Sequence, residues 1–365
     1  MKVKKKVRRS LSKLFERADI FIRDIKPNDK ITIIYDSDPD GVCSAAIAIT
    51  ALREVGINNI FAASRSPDFV KKYGARCTFS DKTIILDLST DIFEKDLPKM
   101  KTTATDKKFL IFDHHLVWKI KSKNVTYVNP RMIEKEIYLP TSYLIYKFFS
   151  RRINLDSVKW MAVLGTIADY GLKDTKDLIG KYLRKKDYEN IWGSEYGRAA
   201  MIANSTIAIA GADKSLETLL QLKSFRQFKR NDVFRKAFEK FEKEFRKRKE
   251  EMMRRMEVYP KIGLRFTIIN SKYFRRIAST LATRIGNKNR DSVFVILEKS
   301  GNIYRIHGRS TASDVSIAKL FKKLGVGGGH PAAGGGSIKV KELKAFRKSL
   351  IKEIEKMRQI DRKKR

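Results

Sequence analysis

Residues 108–115 have the sequence KFLIFDHH, in which a run of apolar residues leads directly into Asp113, His114 and His115. A short apolar run that is bounded by polar residues is typical of a buried strand. The whole chain contains 4 histidines, and two of them stand side by side behind an aspartate at the predicted end of this strand. We therefore expect this strand end to carry chemistry.

Short apolar runs of the same kind recur at four other places in the first half of the chain. These predicted strands cover 31–36, 59–64, 83–89 and 125–129. Helical segments alternate with them, including one that ends at Gly56, and further helices are predicted at 141–150 and 156–168. Strands that alternate with helices are typical of an α/β protein with a mostly parallel sheet.

The length of the chain, 365 residues, exceeds what one hydrophobic core normally supports, so we expect more than one domain. Beyond a strongly charged helical stretch, strands are predicted at 266–270, 292–299 and 302–309, and helices near 275–286, 314–324 and 341–357. The predicted order is a basic N-terminal arm and helix, a first α/β domain, a charged connecting helix, and a smaller α/β domain with a basic tail. The corresponding ranges are 1–29, 30–225, 226–259 and 260–365.

The chain carries a large excess of positive charge. Lysine and arginine total 79 against 41 aspartate and glutamate residues, which gives a net charge of +38. A field of this sign and size favours a polyanionic partner, and nucleic acid is the first candidate. A solvated lysine-rich surface, an anionic membrane and the ribosome are the other interpretations.

Membrane and disulfide signals are both weak. No apolar run is long enough to predict a membrane span, and the N-terminus lacks the apolar core of a signal peptide. The 2 cysteines are too few for a disulfide framework, which is typical of a reducing compartment. We therefore predict a cytoplasmic protein without membrane association.

Acidic residues stand where several of the predicted strands end. Asp36, Asp38 and Asp40 follow the first strand and Asp87 follows the third, while Asp169 stands near the end of a helical segment. Ligands of α/β sheets bind beyond the carboxyl ends of the strands, so we expect these residues to converge with the Asp-His-His triplet. Several neighbouring carboxylates cannot all stay ionised unless a cation lies between them.

The combination of carboxylates with imidazoles predicts a divalent metal site. Hard oxygen ligands with one or two imidazoles suit Mn²⁺ or Mg²⁺, and a carboxylate that bridges two such ions is the usual arrangement for phosphoester cleavage. One histidine of the pair can bind a metal, its neighbour can donate to a substrate phosphate, and Asp113 can orient the imidazole. Each motif alone is a weaker signal, because Asp-X-Asp after a strand is also common in turns and helix caps.

A glycine-rich segment near the C-terminus predicts a second anion-binding element. It contains the sequence GGGH at 327–330 and another glycine run at 334–336. Glycines let backbone N–H groups approach an anion closely, and Arg309, which precedes this segment, can bind a phosphate with two donors. A glycine run on its own is also common in flexible turns.

The order of these motifs resembles the DHH phosphoesterase superfamily over about residues 30–340. The matching features are the aspartate-rich motif at 36–41, the aspartates at 87 and 169, the DHH triplet at 113–115 and the glycine-rich signature of the DHH-associated domain at 308–335. No histidine precedes the first motif. In this respect the chain departs from many members of the superfamily that act on small molecules, and it is more similar to the RecJ-like nucleases.

The resemblance implies two divalent metal ions, with manganese preferred and magnesium possible, that share Asp87. One ion would be held by Asp36, Asp38 and Asp87, and the other by Asp40, Asp87, His114 and Asp169. His115, at the scissile phosphate, and Asp113 would be the catalytic pair. Residues of the second domain would bind the substrate, namely Arg309, Ser310, Gly328, Gly329 and His330.

The resemblance and the charge together predict a single-strand-specific exonuclease for DNA or RNA that acts in replication or repair. The similarity implied is to the archaeal branch of RecJ-like proteins, which works with helicases. Three alternatives remain at this stage. One is a nanoRNase or a phosphodiesterase for short oligonucleotides or cyclic dinucleotides. The others are a non-catalytic replication scaffold and a nucleic-acid-binding module with vestigial chemistry.

Overall fold

The computed structural model describes residues 2–65, 80, 82–89, 108–115, 123–270, 274–286, 289, 291–329 and 331–362. The chain divides into two compact units, Met1–Phe238 and Glu239–Arg365. The four-part division that the sequence suggests is finer than this one and stays a prediction.

The first unit is built on a five-stranded sheet in which every pair of neighbouring strands is parallel. The strands are β1 Ile31–Tyr35, β2 Ile60–Ser64, β3 Lys82–Leu86, β4 Lys108–Phe112 and β5 Val125–Val128. Their order across the sheet is β2-β1-β3-β4-β5. The predicted α/β class with a mostly parallel sheet is therefore confirmed for this unit.

The central strands are apolar on both faces, as a parallel sheet between two layers requires. Successive side chains of a strand point to opposite faces. In β4, Leu110 and Phe112 belong to the large hydrophobic core of the unit, whereas Phe109 and Ile111 belong to a smaller cluster on the other face. This double burial explains why the strands appear in the sequence as continuous apolar runs.

Helices supply most of the rest of the first unit. They are α1 Lys2–Arg23, α2 Pro39–Glu54, α3 Thr141–Phe149, α4 Lys159–Ala168, α5 Lys176–Ile179, α6 Glu195–Ala210, α7 Ala212–Leu220 and α8 Phe225–Arg230. Helices α2, α3 and α4 pack on one another and bury most of their residues in the large core. Two of them, α2 and α4, carry candidate site residues at the ends near the sheet.

The second unit follows α9 Asp232–Arg255, a helix that crosses the boundary between the two units. Its sheet has six strands in the order β10-β11-β9-β8-β7-β6, and only β7 and β8 run parallel. The strands are β6 Glu257–Tyr259, β7 Leu264–Ile268, β8 Val293–Ser300, β9 Ile303–Ser310, β10 Gly327–Gly329 and β11 Ala333–Lys339. The helices are α10 Phe274–Gly286, α11 Ile317–Lys323 and α12 Leu343–Arg362. A smaller α/β domain in this part of the chain is confirmed.

Two features of the second unit differ from the sequence-based expectation. The glycine runs were open to interpretation as a flexible turn, but they form the paired strands β10 and β11. Helix α12 extends to Arg362, beyond the predicted end at 357.

In the described part of the chain, none of the helices combines the length and the apolar character that crossing a membrane requires.

Candidate metal centre

The turn from β1 into α2 places three aspartates at one strand end. Asp38 is the N-cap of α2, and its carboxylate accepts a hydrogen bond of 2.9 Å from the backbone N–H of Gly41. A Cβ atom on Gly41 would lie 2.3 Å from the carbonyl oxygen of Asp36, so this tight turn requires glycine. The helix cap and the turn together fix the positions of Asp36, Asp38 and Asp40.

Asp40 is buried and joins this turn to a second helix. Its carboxylate accepts hydrogen bonds from the backbone N–H groups of Thr141 at 2.6 Å and Ser142 at 3.0 Å, and from the Ser142 hydroxyl. It thereby caps the start of α3, whose own N-cap residue, Pro140, provides no side-chain bond. Burial and the nearby charge of Asp169 raise the pKa of Asp40 to about 7.

Asp87 directly follows β3 and is 2% exposed. Its backbone N–H donates to the carbonyl of Phe112 at 2.9 Å, and its carboxylate accepts from the Thr141 hydroxyl at 3.0 Å. Its φ of 63° lies in the left-handed region, which is strained for a residue with a side chain and is common at functional sites. Burial, together with the charges of Asp40 and Asp38, raises the pKa of Asp87 well above its usual range.

His114 lies between two of these carboxylates. Its Nε2 is 3.1 Å from Oδ1 of Asp87 and 3.4 Å from Oδ2 of Asp169. Burial and the charge of His115 lower the pKa of His114 to about 4, so the ring is neutral. Its buried Nδ1 has no hydrogen-bond partner among the residues that the structure describes. A neutral imidazole that faces two carboxylate oxygens fits a shared cation.

Asp113 has a different role from the other aspartates, because it is held within the protein. Its carboxylate accepts from the backbone N–H of His115 at 3.1 Å, from the hydroxyl of Tyr127 at 2.9 Å and from the amide of Asn129 at 3.3 Å. It also contacts Nδ1 of His115 at 2.7 Å. Burial would raise the pKa of Asp113, but the hydrogen bond and charge of His115 outweigh this effect and lower it.

His115 is positively charged at neutral pH. Burial on its own would lower the pKa of His115, but the hydrogen bond to Asp113 and the charge of Asp113 raise it to about 9. Its side chain is 29% exposed, whereas that of Asp113 is fully buried. An imidazolium that a buried carboxylate holds in place is suited to donate a hydrogen bond to an anionic oxygen.

Asp169 ends helix α4. The next residue, Tyr170, has a left-handed φ of 57°, and its N–H bonds to the carbonyl of Ile167 at 3.1 Å. The N–H of Gly171 bonds to the carbonyl of Thr166 at 2.9 Å, which completes a Schellman closure. Burial and the charge of Asp38 raise the pKa of Asp169 to about 7, although the hydrogen bond from Tyr138 opposes this shift.

We call Asp36, Asp38, Asp40, Asp87, His114 and Asp169 the carboxylate cluster. Three groups of ligand atoms, each within 4.8 Å of one another, could hold a metal ion. They are Asp36 with Asp38 and Asp87, Asp40 with His114 and Asp169, and Asp87 with His114 and His115. Because Asp87 and His114 each occur in two groups, the arrangement suits two neighbouring ions with shared ligands. The assignment of each residue to one ion stays a prediction.

Several residues of the site were not predicted from the sequence, and they lie between the end of β5 and the first turn of α3. The Tyr138 hydroxyl donates to Asp169 at 2.7 Å, and the Arg131 guanidinium donates to the carbonyl of His114 at 2.8 Å. Asn129 donates to Asp113 as described above, and Thr141 and Ser142 bind the aspartates. The available signal was that β5 ends at the same sheet edge as the other strands, with Asn129 directly after it.

The proposed substrate residues of the second unit lie on two strands. Arg309 and Ser310 end β9, and Gly328 and Gly329 lie in β10. Ser310 is buried, and its hydroxyl donates to the carbonyl of Ala312 at 3.1 Å and accepts from the N–H of Ala312 at 3.2 Å. His330 lies outside the described residues.

Strands β10 and β11, which we call the glycine hairpin, are paired with backbone close to backbone. A Cβ atom on Gly327 would lie 2.1 Å from the carbonyl oxygen of Gly335, so a side chain there is excluded. A Cβ atom on Gly328 would meet nothing within 4 Å. Glycine is therefore required by packing at Gly327 but not at Gly328, where the backbone is open to a ligand.

Comparison with solved structures shows the same fold in phosphate-processing proteins. The exonuclease RecJ bound to manganese is 16% identical, with a TM-score of 0.68 and coverage of 93% of this chain and 94% of that chain. RecJ from Thermus thermophilus in complex with Mn²⁺ is 15% identical, with a TM-score of 0.71 and coverage of 94% of this chain and 55% of that chain. An exopolyphosphatase-related protein from Bacteroides fragilis is 13% identical, with a TM-score of 0.57 and coverage of 95% and 98%. A search of curated protein sequences gave no match.

Two family models match the sequence itself. Residues 30–169 match the model described as DHH family, N-terminal domain, and residues 263–356 match the DHHA1 domain. The first match contains the whole carboxylate cluster, and the second contains the glycine hairpin. The resemblance to the DHH superfamily is confirmed at both ends of the chain, and the chain belongs to the DHH family of phosphoesterases.

Proposed function

We propose that this chain is a metal-dependent, single-strand-specific exonuclease that hydrolyses phosphodiester bonds of DNA or RNA with two divalent ions. The observation that carries the proposal is the pairing of a buried carboxylate cluster with a charged imidazole, His115, two residues from Asp113. A metal site alone would suit many reactions. A fixed imidazolium beside it suits a substrate that brings a phosphate to the metal.

In the proposed hydrolysis, one set of residues would bind the metal ions and another would stabilise charge on the phosphate. Two bound ions would supply an activated water and neutralise charge on the phosphate. Asp87 would be shared, with Asp36 and Asp38 on one side and Asp40, His114 and Asp169 on the other. His115 would donate a hydrogen bond to a non-bridging phosphate oxygen, and Asp113 would keep that imidazole protonated and oriented.

The choice of ion follows from the ligands. Carboxylate oxygens with one neutral imidazole favour Mn²⁺ or Mg²⁺ over metals that prefer thiolates. Manganese is our first expectation because the imidazole of His114 is a softer ligand than Mg²⁺ normally selects. Solved RecJ structures of this fold contain manganese or magnesium, so magnesium stays the second expectation.

The preference for a nucleic-acid strand rests on charge. A net charge of +38 favours a long polyanion, since each neutralised phosphate releases counterions and adds affinity. In the second unit, Arg309, Ser310, Gly328, Gly329 and His330 would bind the strand. A role in replication or repair beside a helicase, an archaeal affiliation and a cytoplasmic location stay predictions.

One other function has an observation in its favour. The fold is shared with an exopolyphosphatase-related protein, so inorganic polyphosphate or a short oligonucleotide is the second candidate substrate. A non-catalytic replication scaffold or a binding module remains the third, and the intact set of carboxylates in the described structure argues against it.

The test uses single strands about thirty nucleotides long, labelled at one end or the other in separate reactions. The purified full-length chain is added with Mn²⁺, with Mg²⁺ or with a chelator, and the products are sized over time. Parallel reactions contain di- to pentanucleotides, a cyclic dinucleotide and polyphosphate.

We expect metal-dependent release of mononucleotides from one labelled end and a ladder from the other, which also gives the polarity. Hydrolysis of the short or base-free substrates alone would replace the exonuclease with a small-substrate phosphoesterase. Tight strand binding without hydrolysis of any substrate would favour the scaffold or binding module.

A further inference from the structure

An exposed aromatic side chain directly follows a residue of the carboxylate cluster. Tyr170 is 50% exposed, although its chain neighbour Asp169 belongs to the cluster. Large aromatic side chains are buried on average, because most of their surface is apolar. Tyr170 instead presents about half of its surface to solvent one residue from the metal centre.

The backbone at Tyr170 gives no reason for a tyrosine. Its φ of 57° is left-handed, a conformation that glycine adopts without strain and bulky residues rarely adopt. The closure of helix α4 uses only backbone groups of Tyr170 and Gly171. Glycine at position 170 would close the helix with less strain, so the aromatic ring has to be explained by something other than the helix end.

A second aromatic residue orients the Tyr170 ring. The ring of Trp192 meets it edge to face, with centroids 5.2 Å apart and an interplanar angle of 76°. Trp192 lies in the short 3₁₀ helix Ile191–Gly193 and packs against the large core of the first unit. Trp192 is therefore anchored, and its contact with Tyr170 preorganises the exposed ring.

We propose that Tyr170, supported by Trp192, is a stacking site for a nucleobase of the strand whose phosphate is bound at the carboxylate cluster. Successive Cα atoms are about 3.8 Å apart, so the backbone of Tyr170 lies beside that of Asp169, a residue of the carboxylate cluster. Stacking on an aromatic ring accepts any base, because every base has a π face. This inference rests on the proposed function and narrows its substrate to one that carries bases beside the scissile phosphate.

The charge of the surrounding chain fits the same ligand. Exposed lysines occur at Lys173 and in the 3₁₀ helix Lys185–Tyr188, which precedes the Trp192 helix. Aromatic rings interleaved with cations are the usual composition of a surface that binds a single strand. Polyphosphate would use the cations but would gain nothing from the ring.

The experiment compares two strands of equal length and charge, one with ordinary nucleotides and one with abasic residues at both ends. Hydrolysis of each in Mn²⁺ is measured for the parent chain, Tyr170→Gly, Tyr170→Phe and Trp192→Leu. Binding of each strand is also measured by fluorescence anisotropy in a chelator, where no hydrolysis occurs.

We expect the parent to bind and hydrolyse the ordinary strand about tenfold better than the abasic strand, in line with typical stacking contributions. Tyr170→Gly should lose this preference, with a much smaller loss on the abasic strand than on the ordinary strand, Tyr170→Phe should keep it, and Trp192→Leu should reduce it. Because glycine relieves the left-handed backbone, the midpoint of thermal unfolding of Tyr170→Gly should not fall below that of the parent.

The outcomes separate the stacking site from the proposed function. Equal losses on both strands in Tyr170→Gly would overturn the stacking site while hydrolysis by the parent upheld the exonuclease. A base preference in binding that depends on Tyr170, without hydrolysis by the parent, would uphold the stacking site and overturn the exonuclease. A parent that neither binds nor hydrolyses either strand would overturn both.

Discussion

The two candidate sites of this chain are built in opposite ways. In the carboxylate cluster, side chains make the site: Asp40, Asp87 and His114 are all nearly inaccessible to solvent. In the glycine hairpin, all three residue pairs that join β10 to β11 are glycine pairs, and the backbone at Gly328 stands open. The first site concentrates charge in the interior and the second removes bulk from a sheet edge.

The difference shows two ways in which a fold can leave room for a ligand. Buried carboxylates destabilise one another until a cation separates them, so the cluster is incomplete as a purely protein structure. A strand of glycines loses packing and conformational restriction, so the hairpin is weaker than an ordinary strand pair. Each site departs from the most stable choice of residues at the positions where we propose that phosphate is bound.

The largest expected effect is at the residue shared within the cluster. Asp87→Ala should lower the rate of hydrolysis by at least ~10³-fold, because it removes the ligand common to two candidate metal groups. Binding of a single strand in a chelator should change little. Rates by product sizing and affinities by anisotropy measure the two effects.

The matched control is Asp291→Asn in the second unit. Asp291 is also an aspartate with a left-handed φ, of 59°, but its carboxylate is paired with Arg358 at 3.1 Å, and it belongs to none of the candidate metal groups found among the described residues. It should leave hydrolysis unchanged. Normal turnover in Asp87→Ala would contradict the shared-ligand assignment and remove the contrast between the two sites.

The next largest effect is the pH dependence of metal binding at the carboxylate cluster. Burial raises the pKa values of Asp40 and Asp169 to about 7, so each carboxyl takes up a proton as the pH falls through 7. A metal must displace these protons, and Mn²⁺ affinity should therefore be lower at pH 6 than at pH 8 by about tenfold for each carboxyl involved. Titration calorimetry at both pH values in two buffers measures the affinity and the protons released. An affinity that does not change with pH would show that these carboxyls are not ligands.

A smaller effect is expected in the second unit, at Arg309. Arg309→Ala should raise KM for a strand about tenfold and leave Mn²⁺ affinity unchanged, since a charged hydrogen bond to phosphate is lost. The control is Arg305→Ala on the same strand, β9. The Arg305 guanidinium lies 3.9 Å from the carboxylate of Glu298, and its removal should change KM less. A loss of metal affinity in Arg309→Ala would contradict the division of labour between the two sites.

The smallest effects distinguish the two kinds of glycine in the hairpin. Gly327→Ala should destabilise the protein by ~1–3 kcal/mol, because its Cβ would lie 2.1 Å from a carbonyl oxygen. Gly328→Ala should change stability by less than ~0.5 kcal/mol, since its Cβ meets nothing within 4 Å and its φ is not left-handed. Gly328→Ala should nevertheless weaken strand binding severalfold. Chemical unfolding measures the stability of each variant, and fluorescence anisotropy measures its affinity for the strand. Unchanged strand affinity in Gly328→Ala would show that the open backbone is not used.

Most of the first unit was predictable because its signals are local. The apolar runs of the five strands, and the acidic residues directly after three of them, can be recognised without knowing their partners. The residues that hold the site together were not predictable in this way. Tyr138 and Thr141 carry no motif, and their importance depends on their contacts with Asp169 and Asp87.

The sequence by itself determined the alternating α/β pattern, the strand-end position of the candidate ligands other than Asp169, and the net charge that favours a polyanion. These follow from periodicity and composition, which are properties of neighbouring residues. Only the tertiary structure decided that Asp40 caps α3, that His114 faces two carboxylates, and that the glycines pair as strands. These features depend on which distant segments meet, and burial among those segments raises the pKa of Asp40 and lowers that of His114.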